Sequence, residues 1–262
     1  MEKSFCLVVL GLGLVMVCQI GLTAPIDIEK AEIAYLFEEG KGKVAKDASN
    51  NKRNGSFESG VKYGPGKFGT GLVYDGKDDN LIVKGYHGIG GQDPRTVLYW
   101  FKSESAREHS WVKWGPNVAT KKYYVRAHVA GAKCWLRVEN NGGNNWGDVD
   151  VCDGKWHHHA VVFPNKAKDV QDHNIYVDGK LNGKAGAANP MDTDDKAQEV
   201  VMGDFLAHHV FMHGSFDEVA VFSVDLTVKQ IQLIMTQGLA SALSIEPRDK
   251  LSTNWAAIKA VY

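Results

Sequence analysis

The chain has no surplus of charge of either sign, because 30 lysines and arginines stand against 31 aspartates and glutamates. Binding that depends on bulk charge, such as non-specific association with nucleic acid, needs a basic excess that this composition does not supply. Proline is also scarce, with 7 residues against 28 glycines. Since glycine forms tight turns readily, this balance is typical of many short strands joined by turns. A length of 262 residues suits a single all-β domain.

Long helical patterns between the strand-like segments are missing as well, which argues against βαβ units. Residues 31–225 instead form short β-rich runs separated by Gly, Asn and Asp clusters. The run over residues 96–102 is too densely apolar for a half-solvated strand and predicts a central one. We therefore expect an all-β fold, an antiparallel two-sheet sandwich.

One short C-terminal helix is predicted. Thr227 and Gln230 have the spacing of a capping box, and an apolar stripe follows that ends at Gly238. The stripe consists of Ile231, Ile234 and Met235. We expect this helix to pack against an edge or rim of the sandwich.

The only long apolar run lies at the N-terminus, over residues 5–22. It follows Lys3 and ends at Thr23, Ala24 and Pro25, the layout of a secretory signal peptide over residues 1–24. Because Leu22 is bulky where a small residue is preferred, an uncleaved membrane anchor is the alternative. In both cases the rest of the chain is predicted to be secreted or exposed at the cell surface or in the periplasm.

Cysteine is sparse too: of four cysteines, only Cys134 and Cys152 lie beyond residue 24. They flank a strong turn signal over residues 140–145, and their midpoint is Gly143. A symmetric hairpin would place the two thiols opposite each other, and an oxidising compartment favours a disulfide there. Two unpaired core cysteines are the alternative, since cross-strand disulfides are often strained.

Six motifs occur in the order that one family shows. They occupy residues 38–55, 66–79, 96–102, 156–158, 176–180 and 214–219. With them, residues 31–238 resemble the LamG-like jelly-roll domains of the concanavalin A-like lectin/glucanase superfamily. The resemblance implies two sheets packed about 10 Å apart. It divides the chain into a leader (1–24), a jelly-roll sandwich (25–238) and a C-terminal tail (239–262).

The resemblance also implies an extracellular recognition module. The leading hypothesis is a non-catalytic domain that binds a carbohydrate or an extracellular protein. The alternatives are a structural or adhesive envelope or matrix domain without a small-molecule ligand and, with less support, a degenerate glycoside hydrolase. Catalytic relatives carry a Glu-x-Asp-x-x-Glu strand, since glycoside hydrolysis needs paired carboxylates. Asp148 and Asp150 lack the flanking glutamates, and the adjacent Asp217 and Glu218 would point to opposite faces of a regular strand.

Acidic residues at two places are candidate ligands of a structural calcium ion. Phe216 and Val219 both read as inward-facing although three positions apart, which predicts a bulge that re-aims Asp217. In related folds an acidic residue near this point helps bind Ca²⁺. A second oxygen cluster, chosen by the preference of hard cations for oxygen, consists of Asp75, Asp78 and Asp79. The alternative is that these aspartates only cap turns.

Tryptophans outside the predicted strands are the candidate ligand-binding residues. Trp111, Trp114 and Trp146 are expected in or beside loops, where sugar rings stack on exposed aromatic faces. Asn144 and Asn145 belong to an Asn- and Gly-rich loop beside Trp146. The alternative is that large aromatics in a sandwich belong to the core.

Histidines cluster at residues 157–159 and 208–213. Imidazole is a good zinc ligand, but consecutive residues of a strand point alternately, so three cannot converge on one ion. We therefore expect residues 157–159 to be framework.

Overall fold

The computed structural model describes residues 25–205 and 210–243, together with the backbone of two short strands in the first eighteen residues. The rest of the predicted leader, His208 and His209, and residues 244–262 lie outside the described residues. Within the described residues, two 3₁₀ turns cover Ile28–Lys30 and Val170–Asp172, and one helix, α1, covers Val228–Ala242.

The described strands carry the numbers β1 to β21 in chain order. They are β1 Cys6–Leu10, β2 Leu14–Cys18, β3 Ala31–Tyr35, β4 Val44–Ala45, β5 Gly55–Glu58, β6 Lys62–Pro65, β7 Thr70–Asp75, β8 Asn80–Val83, β9 Arg95–Lys102, β10 Ser110–Trp114, β11 Tyr123–Ala130, β12 Lys133–Glu139, β13 Asn144–Trp146, β14 Trp156–Phe163, β15 Asn174–Val177, β16 Lys180–Leu181, β17 Lys184–Ala185, β18 Val200–Met202, β19 Asp204–Phe205, β20 Val210–Phe211 and β21 His213–Phe222.

Two antiparallel sheets form the body of the molecule and confirm the predicted sandwich. The nine-stranded sheet has the order β17-β13-β12-β11-β10-β18-β8-β5-β4. The eight-stranded sheet has the order β16-β15-β14-β9-β21-β7-β6, and β3 adds to the second half of β21. Strands β1 and β2 pair with each other, as do β19 and β20.

Strand β9 is the centre of the eight-stranded sheet, as its dense apolar sequence predicts. It lies between β14 and β21, and every residue except Lys102 is buried. Alternation sends Val97, Tyr99 and Phe101 into the core between the sheets. Leu98, from the other face, belongs to a second apolar cluster that includes residues of α1.

Helix α1 begins at the predicted capping box. The Thr227 hydroxyl accepts a hydrogen bond from the Gln230 N–H at 3.3 Å. The buried Ile231 and Ile234 join Leu98 in the second cluster, so the helix covers the outer face of the eight-stranded sheet rather than an edge or rim. That correction follows from β9 and its neighbours, whose outer face is itself apolar and needs a cover.

The end of α1 also differs from the prediction. Gly238 takes a positive φ of 78° and kinks the chain, and helical structure then resumes as far as Ala242. Leu239, expected in a tail, is fully buried. Within the described residues, neither the helix nor the short turns combine the length and apolarity that crossing a bilayer requires.

The predicted disulfide between Cys134 and Cys152 is confirmed, with Cα atoms 5.6 Å apart. The hairpin that carries it is asymmetric, because Glu139 pairs with Asn144 and β13 ends well before Cys152. Cys152 lies in the irregular segment after β13, and the neighbouring Val151 N–H donates to the Cys134 carbonyl at 2.9 Å.

The predicted bulge in β21 is present. The register against β9 shifts between Asp217 and Ala220, and Glu218 has a φ of 51°. Phe216 and Val219 are consequently both buried in the core between the sheets.

Candidate functional site

The outer face of the nine-stranded sheet carries half-buried aromatic and charged side chains. Alternation along β11, β12 and β13 puts inward-facing apolar residues in the core and their neighbours on the outside. The strand register places His128 opposite Trp135, and Arg137 opposite Trp146. These four residues, His128, Trp135, Arg137 and Trp146, are called the platform below.

The platform is held together by ring contacts. The His128 ring centroid lies 5.6 Å from that of Trp135 and 5.7 Å from that of Trp146. All three rings are only partly buried. Burial lowers the pKa of His128, and the nearby charges of Arg137 and Arg126 lower it further, so this ring is neutral at neutral pH. The three rings of the platform therefore offer flat, uncharged aromatic surface.

A charged cluster borders the three rings and includes Arg137 of the platform. The buried carboxylate of Glu139 accepts from Lys122 Nζ at 2.6 Å and from Arg137 Nη2 at 2.8 Å, and lies 3.7 Å from Arg126 Nη1. Burial opposes ionisation of Glu139, but the three cations outweigh it and lower its pKa. Arg126 also pairs with Glu108. Three cations and two carboxylates thus stand at one side of the platform.

Two N–H groups of the platform have no hydrogen-bond partner. They are Trp135 Nε1 and Arg137 Nε, both buried atoms. Burying a donor without an acceptor costs about 1–3 kcal/mol, so most such groups in proteins are paired.

Trp146, Asn144 and Asn145 are predicted together as one candidate binding patch, and only the first two lie on this face. Trp146 is part of the platform, and Asn144 lies on the same face, opposite Glu139. Asn145 points to the other side of β13, where its Nδ2 donates to the carbonyls of Gln171 at 3.0 Å and His173 at 2.9 Å. It is a structural residue, because the segment expected to be a loop continues the strand alternation.

Trp111 and Trp114 were predicted in or beside loops as candidate ligand-binding residues, with the core as the alternative, and the structure places both in a strand of the core. Both are 0% exposed. Trp114 stacks on Tyr123 with 4.0 Å between centroids, and Trp111 contacts Phe101 with 5.1 Å between centroids. Polar segments flank β10 in the sequence and made this short strand difficult to predict. The strand places both rings in the core.

His128, Trp135 and Arg137 were not predicted from the sequence as candidate binding residues. The signal that could have found them is the alternation over residues 123–139, where these side chains interrupt an apolar pattern at every second position. Two β-strands with one apolar and one mixed face predict a sheet whose outer side is left to polar or aromatic contacts.

The Asp75, Asp78 and Asp79 carboxylates do come together, with ligand atoms within 4.8 Å of one another. Asp79 is fully buried, and burial raises its pKa, while hydrogen bonds from the Asp75 and Gly60 backbone act in the opposite direction. Asp75 also caps its own turn, accepting from the Lys77 N–H at 2.9 Å. The cluster has the donor chemistry that calcium requires.

Asp217 has a different environment from that of an ion ligand. Its Oδ2 accepts from the Lys67 and Phe68 N–H groups at 2.8 and 2.9 Å, and its Oδ1 accepts from the Glu218 N–H at 2.8 Å. Burial raises its pKa to about 7, against the opposing effect of these three donors. Both oxygens are engaged by N–H donors, so this carboxylate anchors the turn that begins at Gly66 and fits a cation poorly.

The histidines of β14 are framework, as alternation predicts. His159 is buried against Tyr99 and Trp111 of the core, and His158 against Trp100 on the opposite face. His157 lies at the rim, where its Nδ1 is 2.8 Å from Asp178 Oδ2 and its Nε2 is 3.0 Å from Asp153 Oδ1.

The family model described as the concanavalin A-like lectin/glucanases superfamily matches residues 75–232. The chain belongs to this superfamily. Comparison with curated proteins returns no match.

Solved structures show the same lectin-like fold. Domain 4 of AbnA, a GH43 extracellular arabinanase from Geobacillus stearothermophilus, in complex with arabinotriose, is similar with a TM-score of 0.57 and 17% identity, over 78% of this chain and 97% of that one. The binding domain of botulinum neurotoxin DC in complex with SialylT is similar with a TM-score of 0.55 and 10% identity, over 80% and 51%. This chain thus spans about half of the neurotoxin binding domain.

Proposed function

We propose that this member of the superfamily is a non-catalytic recognition module that binds carbohydrate through the platform. The observation that carries the proposal is the grouping of three partly exposed aromatic rings with hydrogen-bonding side chains on one open sheet face. Sugar rings present apolar C–H faces that stack on aromatic rings, while their hydroxyl groups pair with polar neighbours. Asn144, Arg137 and Glu139 supply such neighbours beside Trp146.

The relatives support a binding role. The arabinanase domain was solved with arabinotriose, and the neurotoxin domain with SialylT. The disulfide between Cys134 and Cys152 supports an oxidising compartment, so we place the module outside the cytoplasm, secreted or at the cell surface. An extracellular protein partner is the competing occupant of the same face.

The structure also bears on the hydrolase alternative. Asp217 is engaged by three N–H groups, and the buried carboxylate of Glu218 accepts from the Leu239 N–H. A carboxylate pair for glycoside hydrolysis must reach a sugar from two sides. Neither of these two acids is placed to do so, which supports a non-catalytic module.

We further propose that Asp75, Asp78 and Asp79 hold a structural calcium ion. Three carboxylates within 4.8 Å form a set of hard oxygen ligands, and the buried Asp79 gains most from a neutralising cation. Bound Ca²⁺ would supply charge neutralisation between β7 and β8. Thermal unfolding should give a higher Tm in Ca²⁺ than in chelator, and Asp79→Asn should remove the difference. Equal Tm values in both buffers would contradict the proposed calcium site.

A glycan array probed with the protein, in Ca²⁺ and in chelator, tests the binding function. We expect a saccharide signal that Trp146→Ala and Trp135→Ala each weaken roughly fivefold, since stacking on an aromatic ring is worth on the order of 1 kcal/mol. Tyr176→Ala is the matched control, because this partly exposed aromatic lies on the eight-stranded sheet.

Two results would contradict the proposal. Saccharide binding that survives both tryptophan substitutions would move the site away from the platform. A protein that binds no saccharide in either buffer would favour a structural or adhesive domain.

A further inference from the structure

Arg137 has donor capacity that the protein does not use. A guanidinium carries five N–H donors. Nη2 pairs with Glu139 at 2.8 Å, Nη1 has only a long contact of 3.5 Å with His128 Nδ1, and Nε has no partner. The side chain nevertheless remains 20% exposed, so an incoming group can reach it.

Trp135 adds a second unused donor on the same face. It lies two residues before Arg137 in β12, so both side chains project to the outside of the sheet. Its buried Nε1 has no hydrogen-bond partner. Both unpaired donor atoms are buried, so the exposed part of the Arg137 side chain is what a ligand can reach on this face.

The surrounding charge shows what kind of acceptor fits. The cluster holds three cations, Lys122, Arg126 and Arg137, against the two carboxylates of Glu108 and Glu139, which leaves one positive charge. Carboxylates pair with guanidinium groups through two parallel hydrogen bonds, a geometry that a neutral hydroxyl cannot reproduce. An anionic acceptor at the exposed part of the Arg137 side chain therefore fits the charge of the cluster.

We infer that the saccharide is acidic and that Arg137 binds its carboxylate. This inference rests on the proposed function and specifies its ligand: the rings of Trp146 and His128 supply stacking surface, and the guanidinium selects a carboxylate-bearing sugar over its neutral counterpart. Such a carboxylate occurs in uronic acids and in sialic acids, and both sources have the same recognition chemistry.

Titration calorimetry with matched pairs of ligands tests the inference. Trigalacturonate is compared with its methyl ester, and sialyllactose with lactose, so that each pair differs in the carboxylate charge or in the acidic sugar that carries it. We expect one acid to bind at least tenfold tighter than its neutral partner, the ratio that one charge-assisted hydrogen-bond pair supplies. The pair that shows the difference identifies the source of the carboxylate.

Variants show whether Arg137 is responsible. Arg137→Lys keeps the charge without the planar fork, and Arg137→Met removes both, so each should bring the affinity for the acid close to that for the neutral ligand. Lys180→Met, which removes an exposed charge from the eight-stranded sheet, should leave the ratio unchanged. Thermal unfolding of each variant confirms that it is folded before binding is measured.

The outcomes separate the two levels of the proposal. Equal affinities for acid and neutral ligand, or a preference for acid that persists in both Arg137 variants, would overturn the inference while Trp146-dependent binding upholds the proposed function. Absence of binding by all four ligands and by the glycan array would overturn both.

Discussion

His157 links the start of β14 to two turns, and its removal should change stability in a way that depends on pH. Its imidazole contacts the carboxylates of Asp178 and Asp153 on either side, with the His157 side chain 10% exposed and the two aspartates 44% and 28% exposed. A charge-assisted hydrogen bond contributes about 1.5–3 kcal/mol when buried. Because both carboxylates are partly solvated, we expect about 1 kcal/mol from each, or about 2 kcal/mol in total.

The direction with pH follows from the pKa shifts. The hydrogen bond that the His157 ring donates to the Asp178 carboxylate raises the pKa of His157. The contact with Asp153 raises it further, while burial acts in the opposite direction. A raised pKa in the folded state means that the contribution is fully present below the usual value of 6.5 and disappears as the pH rises through the folded value. The same contacts lower the pKa of Asp178 despite its burial, so this carboxylate is protonated, and the interaction lost on its side, only in acid.

His158, the next residue, supplies a control of opposite sign. Burial lowers its pKa to about 3, and it is neutral in the folded protein. Its contribution is present above pH 6.5 and is lost as the pH falls below that value. His157→Gln and His158→Gln should therefore differ in which side of neutrality they affect.

Urea unfolding of the wild type and of His157→Gln at pH 5.5, 7.0 and 8.5 measures the effect. The difference in free energy of unfolding should be about 2 kcal/mol at pH 5.5 and should shrink toward the alkaline end. Taking the difference cancels the titration of the other groups. A difference that stays constant over this range, or grows with pH, would refute the proposed protonated bridge.

Three further changes test other parts of the structure. Arg95→Met should lower the free energy of unfolding in urea by about 3–5 kcal/mol. The fully buried guanidinium donates to four main-chain carbonyls between residues 89 and 93 and to the Thr193 hydroxyl, and these acceptors would remain unpaired. A loss below about 1 kcal/mol would contradict that role. Replacing Cys134 and Cys152 by serine together should cost about 3 kcal/mol, since the bridge spans a sequence separation of 18, and added reductant should reproduce the loss in the wild type alone. Asp217→Asn should lower stability by about 2 kcal/mol, because its amide group would face a main-chain N–H donor, and an unchanged Tm would contradict this.

The sequence was most informative where local chemistry decides the structure. Turn residues and strand patterns predicted the sandwich, and the spacing of Phe216 and Val219 predicted the bulge, because two inward residues at an odd separation require an extra one. The cap at Thr227 was equally readable, since the two hydrogen bonds of a capping box lie within one turn.

The candidate site was harder to predict, because it depends on which strands become neighbours. Polar residues surround Trp111 in the sequence and suggest an exposed ring. The pairing of β10 between β11 and β18 instead places this ring in the core. Trp135 and Trp146 meet through His128 only because β12 lies between β11 and β13. Long-range register of this kind is not encoded in the spacing of any single segment.

The bulge in β21 also redefines where the folded unit ends. Asp217 holds the turn after Gly66 on one side of the strand, while Glu218 accepts from the Leu239 N–H just past the kink in α1. One irregularity therefore fastens the central strand both to a neighbouring loop and to the last helix. A chain shortened at residue 238 would keep every described strand of the sandwich and yet lack the Leu239 N–H that donates to the buried Glu218 carboxylate. The smallest unit worth expressing extends through Leu243.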